Sequence, residues 1–235
     1  MTLPDSPDAE LHARLWPSAR GFAPGSGEAT YVQLHELLLG LAGRLPDSDV
    51  ISLRDSVVTD PFGTPGGIAF AALRAHVPLT RPEVNAIVEI SRALRVPGGD
   101  PPQLDKLILT DTVTDGGHRF GARPGVAQDF TDQSAAIAFM YEKGAQRMWR
   151  AWRADPDGPR RIFLATVAPG TAAWRLTRIM QRDLAQTRAI RVEEAADVVP
   201  TVEIFFPDWE PAPYHRNALE TAELLWSREG GRTAK

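Results

Sequence analysis

The stretch RMWRAWRADPDGPRRIF, Arg147 to Phe163, sets five arginines and two tryptophans around an Asp-Pro-Asp-Gly turn. A guanidinium offers a planar fork of donors that fits phosphate or carboxylate, and an indole beside it offers a face on which a base can stack. The composition is that of a surface for an anion. The competing reading is the solvated side of an ordinary hairpin. As a strand, alternation places Arg150 and Trp152 on one face and Trp149 and Arg153 on the other, so one tryptophan is buried and the other at least partly exposed. As the end of one long helix, Ile137, Tyr141, Met148 and Trp152 would share a face instead, with Gly144 as the only break.

More arginines follow. Arg175, Arg178 and Arg182 recur three and four apart behind Thr171 and form one helical stripe, while Leu176, Ile179, Met180 and Leu184 form the apolar one. If that helix packs on the hairpin, its stripe lies near Arg147, Arg150, Arg153, Arg160 and Arg161. The alternative is pairing with Glu193, Glu194, Asp197 or acids of the first half, each exposed pair worth about 0 to 1 kcal/mol.

The loop TDGGHRFGARPG gathers Asp115, His118, Arg119 and Arg123. Loops carry function more often than their share, and His118 or Asp115 could move a proton on an anionic substrate held by arginines. A surface hairpin with solvated arginines is the plainer account.

Other chemistry fails on spacing. HELLLG at His35 has Leu39 where a second metal ligand would lie one turn on. His215 shares a helical face with Leu219, Ala222 and Trp226, which reads as partial burial. DPFGTPGG lacks the Gly-Lys-Ser/Thr of a phosphate loop, and no G-x-S-x-G elbow occurs. HVPLT, His76 to Thr80, has no matching histidine motif elsewhere. No metal and no cofactor is expected.

Turn and cap signals give the elements meant to position these residues. Pro7 after Ser6 starts a short helix, and PSARGFAPGSGEA is a linker. Thr30 to Gln33 has capping-box spacing, with Val32, Leu34, Leu37, Leu38, Leu41 and Leu45 at helical period. DVISLRDSVV and IAFAALRAHV read as two strands around a turn, and KLILTDTV as a third. Thr80 to Glu83 caps the helix EVNAIVEISRALRV. DQSAAIAFMYEKG is a helix, PTVEIFF a strand, and a last helix runs from Pro211 and Pro213 to about Trp226.

The expected fold is α+β, antiparallel sheet flanked by helices. The expected divisions are a mobile arm at 1–27, similar halves at 28–127 and 128–229 that together could form one domain, and a tail at 230–235. The halves share an order of helix, two strands, helix, strand, helix, which suggests duplication.

The chain has 235 residues, no cysteine and a net charge of −4. Disulfides, thiolate metal sites and a cysteine nucleophile are excluded. No apolar run suits a signal peptide or a membrane span, so a soluble cytoplasmic protein is expected, and 23 arginines to 3 lysines suggest a GC-rich bacterial genome. Between Arg147 and Arg191 ten arginines face three acids, a local charge of +7. The expectation is a non-catalytic adaptor engaging an acidic protein through that segment. The alternatives are a small enzyme for a phosphorylated or carboxylated metabolite, or a nucleic-acid binder, which the overall acidity disfavours.

Overall fold

The computed structural model describes residues 20–23, 25–113, 116–121, 128–156, 158–190 and 199–229, and not the side chains of 187–190. The expected helix after Pro7 and the 230–235 tail lie outside the described residues.

The first helix, α1 (Gly27–Leu41), is capped by Ser26, whose Oγ accepts from the Ala29 amide at 3.1 Å. Thr30 is therefore inside the helix, and its hydroxyl turns back to the Ser26 carbonyl. Two segments expected as strands are helices: α2 (Asp47–Thr59) and α3 (Thr64–Arg74). In α2, Val50, Leu53, Arg54 and Val57 are buried at spacings of three and four, and Asp47 and Asp49 sit at the positive end of the helix dipole. In α3, Pro65 opens the first turn and an alanine-rich run buries Ile68, Ala69, Ala71 and Ala72. Both segments alternate enough to resemble strands, but helical burial prevails.

The third expected strand shrinks to β2 (Leu109–Thr110), which pairs in parallel with β1 (Leu79–Thr80). Between them, α4 (Arg81–Leu94) opens on the expected capping box: the Glu83 amide donates to Thr80 Oγ1 and the Thr80 amide to Glu83 Oε2. A short strand, β3 (Arg119–Gly121), falls within the expected loop.

Asp129 caps α5 (Phe130–Met140) in a box with Asp132. The chain leaves that helix before Gly144, so the arginine segment is a strand and not a helical extension. β4 (Ala145–Asp155) and β5 (Gly158–Val167) form an antiparallel hairpin with Arg153 opposite Arg160. The helix α6 (Ala173–Ile190) follows, and β6 (Thr201–Phe205) then lies parallel to β5, a pairing that requires a crossover connection.

The last expected helix stops early. After α7 (Pro213–Glu220) the chain forms β7 (Glu223–Ser227), which pairs with β4 and buries Leu225 and Trp226. The sheet order is β3-β4-β5-β6. β3 lies opposite Trp152 to Ala154 and β7 opposite Arg147 to Arg150, along the same side of β4.

The fold is α+β, with a five-stranded mixed sheet and not a purely antiparallel one. The two halves differ in order, since α2 and α3 stand where a hairpin was expected. Their side chains meet in one apolar cluster reaching from Val32 to Trp226. On the opposite sheet face a smaller cluster joins Ala151, Ile162 and Leu164 to Leu39 of α1, Ala42 just after it, and Tyr214 and Ala218 of α7. Among the described residues no helix is long and apolar enough to cross a membrane.

Candidate functional site

The smaller cluster ends at a cleft of about 740 Å3. Its polar walls are the start of α2, the facing arginines of the hairpin, and His118 just before β3. Because alternation turns Arg153 to this face, its guanidinium reaches two carboxylates at once. Nη1 and Nη2 donate to Asp47 Oδ1 and Oδ2 at 3.1 and 2.6 Å, and Nε and Nη2 donate to Asp155 Oδ1 and Oδ2 at 2.7 Å each. Arg160, across the hairpin, pairs with the same two acids. The four side chains form a closed ring of alternating charge. Tyr214 Oη lies 3.1 Å from Arg153 Nη1 below it.

These contacts set the electrostatics. Burial favours protonated Asp155, but the hydrogen bond from Arg153 and the charges of Arg153 and Arg160 hold its carboxyl below the usual value. Burial raises the Tyr214 hydroxyl, keeping it a neutral phenol. Every Arg153 nitrogen is occupied. Arg160 retains partial exposure, and its Nη2 has no hydrogen-bond partner among the described residues.

His118 stands on the cleft wall with Nε2 2.6 Å from the Gly43 carbonyl. A carbonyl only accepts, so Nε2 carries the hydrogen and the neutral ring keeps Nδ1 as its acceptor. Two glycines make the contact possible. Gly43 has φ +76 and a Cβ there would lie 2.1 Å from the Tyr214 ring; Gly116 has φ +70 and a Cβ there would lie 2.4 Å from Gly43 O. Neither position has room for a side chain.

The remaining arginines lie elsewhere. Arg150 and Arg161 are buried on the other sheet face, at 3% exposure each, where the sequence suggested an exposed arginine surface. Arg161 holds Asp129 through two contacts of 2.7 and 2.6 Å and Asp132 at 3.0 Å, while Arg150 pairs with Asp132 and Glu223. Burial raises the Asp132 carboxyl against the pull of both arginines; Asp129, nearer solvent, is net lowered by Arg161 despite its own burial. Trp152 is buried between the two guanidiniums, 4.7 Å from Arg161 and 5.8 Å from Arg150, and Trp149 is half-buried against the smaller cluster.

Arg147 is exposed and paired with Glu229 at 3.0 Å. On α6, Arg178 donates to Asp55 at 2.6 Å, and Arg175 and Arg182 are exposed with no ion-pair partner among the described residues. His118, Arg153 and Arg160 are thus brought together; Trp149 packs elsewhere on the same face, and the other described candidates lie on the opposite face, on α6 or, as Arg147, exposed on β4. Asp115 and Arg123 lie outside the described residues.

Sequence reasoning missed Asp47, Gly43, Arg44 and Tyr214. Asp47 carried one usable signal, an acid directly after Pro46 at a helix start, which reading the following segment as a strand concealed. Comparison with protein-family models, curated proteins and solved structures returns no match. The fold and site define an α+β chain with a preorganised charged cleft between its sheet and the start of α2.

Proposed function

We propose that this chain is a small enzyme for a phosphorylated or carboxylated metabolite, bound in the cleft between His118 and Arg160. The observation that carries the reading is the meeting of His118, just before β3, with Arg153 and Arg160 of the β4–β5 hairpin in one cavity with Asp47. Arg44, Arg153 and Arg160 stand on its wall with Asp47, Arg44 paired with Glu83 and the other two with Asp47 and Asp155. Arg160 Nη2 supplies an open donor for an anion. His118 Nδ1, left as acceptor by the Gly43 contact, takes a proton from the substrate as general base.

The test is a thermal-shift panel of phosphorylated and carboxylated metabolites, followed by turnover assays on the best ligand. Arg160→Gln should lose the shift, and His118→Ala should keep the shift and lose turnover. A panel without any shift, or turnover retained in His118→Ala, would sink this reading.

A second reading, an adaptor for an acidic protein, is favoured by the exposed Arg175 and Arg182 on α6. It predicts that Arg175→Glu, Arg178→Glu and Arg182→Glu together abolish capture of a partner in a pull-down, while unchanged capture removes it.

A further inference from the structure

The charges around the His118 cleft narrow the kind of anion it takes, given that it is a small-anion site as proposed above. Each arginine on its wall already has carboxylate partners. Arg44 is matched by Glu83, and Arg153 and Arg160 share Asp47 and Asp155. Among the described residues these pairs leave the wall no surplus positive charge. Asp47 also stands where a ligand must come, because it accepts from Arg160 Nη1 and leaves only Nη2 open on that guanidinium.

A phosphoryl group brings a charge of about −1.5 to −2 and three acceptor oxygens. Here it would meet one open guanidinium nitrogen beside the Asp47 carboxylate. A carboxylate brings a single charge and two oxygens, and is the better match in both charge and donors.

The rest of the wall decides what that carboxylate is attached to. Asp47 and Ile51 both border the cleft, four residues apart on one face of α2 and about 6 Å apart along its axis. Leu45, Pro46, Ala75 and Val199 add further apolar wall. Ile51, Ala75 and Val199 are only partly covered, so they leave apolar surface for a ligand to bury. An anion held at Arg160 beside Asp47 therefore has that surface within about one helical turn.

We propose that the cleft selects a monocarboxylate on a compact apolar body, the carboxylate at Arg160 Nη2 and the body against Ile51, over a phosphorylated analogue of the same shape. Asp47 is the residue that sets this preference, since it neutralises the guanidiniums that a dianion would need.

Isothermal titration at pH 8 with phenylacetate, phenyl phosphate and acetate tests it, the phosphate ester then being a dianion. Phenylacetate should bind saturably, at least tenfold tighter than phenyl phosphate and at least fivefold tighter than acetate. Ile51→Ser, a partly exposed change, should cut the preference for phenylacetate over acetate to less than twofold. Asp47→Asn should bring phenyl phosphate level with phenylacetate or above it; if that variant fails to fold, the three ligands and Ile51→Ser decide. Arg160→Gln should abolish binding of all three. Phenyl phosphate or acetate bound as tightly as phenylacetate, with Arg160→Gln still abolishing binding, would overturn the proposal and leave the anion site standing. Absent binding of every anion, or full affinity in Arg160→Gln, would remove the site and the proposal together.

Discussion

Arg153 grips Asp47, 106 residues earlier in the chain, through two parallel hydrogen bonds of 3.1 and 2.6 Å. Because Arg160 shares the same carboxylate, Asp47 is at once a brace between α2 and the hairpin and an internal occupant of the anion cleft. Replacing it with asparagine should therefore separate stability from binding. Asp47→Asn should cost about 2 to 4 kcal/mol in urea unfolding, because two guanidiniums lose one of the two carboxylates they share in a poorly solvated place. The donors so released should bind inorganic phosphate roughly tenfold tighter, about 1.4 kcal/mol. Weakened phosphate binding in a folded Asp47→Asn protein would show that Asp47 does not compete with the ligand.

The buried polar groups under β6 predict how stability responds to acid. Glu203 is buried with Arg54 and His215, whose Nε2 lies 3.1 Å from Glu203 Oε2. Burial alone would raise its carboxyl, but the Arg54 charge and the His215 contact bring it down to about 2. A lowered carboxylate contributes stability above its unfolded value, near 4.5, that is lost as pH falls toward 2. His35 is lowered from 6.5 to about 4 by burial and by the charge of Arg54. The unfolded chain thus takes up that proton first, and about 3 kcal/mol should be lost between pH 6.5 and 4. Urea midpoints should fall through both windows. His35→Gln should flatten the upper one and Glu203→Gln the lower, and an unchanged slope in either variant would refute the assignment.

The arginine segment divides into structural and surface members, and stability measurements should sort them. Arg161→Ala would leave Asp129 without its arginine and Asp132 with Arg150 alone, beside Trp152, and should cost about 3 to 5 kcal/mol with a shift in tryptophan emission. Arg175→Ala, on the exposed stripe of α6, should change stability by less than about 0.5 kcal/mol. Equal effects at the two positions would mean that burial does not distinguish them.

What the sequence made legible follows the range of the interactions. The β4–β5 hairpin could be read because its turn residues, Asp155 to Gly158, are contiguous and the tryptophans alternate within a few residues. The capping box at Thr80 and Glu83 is equally local. Residues 50–58 misled because Val50, Ile51, Leu53, Val57 and Val58 fit either period, and only packing against α6 and the rest of the core selects the helix. The site was half visible for the same reason. His118 and Arg153 have recognisable chemistry, but their union with Asp47 depends on where α2 begins. The burial of Arg150 and Arg161 depends on acids in α5 and β7, beyond the reach of alternation in one strand.

The position of His118 rests on a backbone stack that can be perturbed without touching any ionisable group. Gly116 lies so close to the Gly43 carbonyl that a Cβ would come within 2.4 Å of its oxygen and 3.2 Å of His118 Nε2, and its φ of +70 is one that side chains resist. Gly116→Ala should push the imidazole away from Gly43 O, freeing the ring to exchange tautomers. Turnover on the cleft ligand should fall at least tenfold with KM changed less than threefold, because Arg160 is untouched. The control is Gly99→Ala, also at positive φ but with open space around the added carbon, which should cost only modest stability and leave turnover unchanged. If Gly116→Ala keeps full turnover and a wild-type His118 chemical shift by NMR, the Gly43 contact does not position the base.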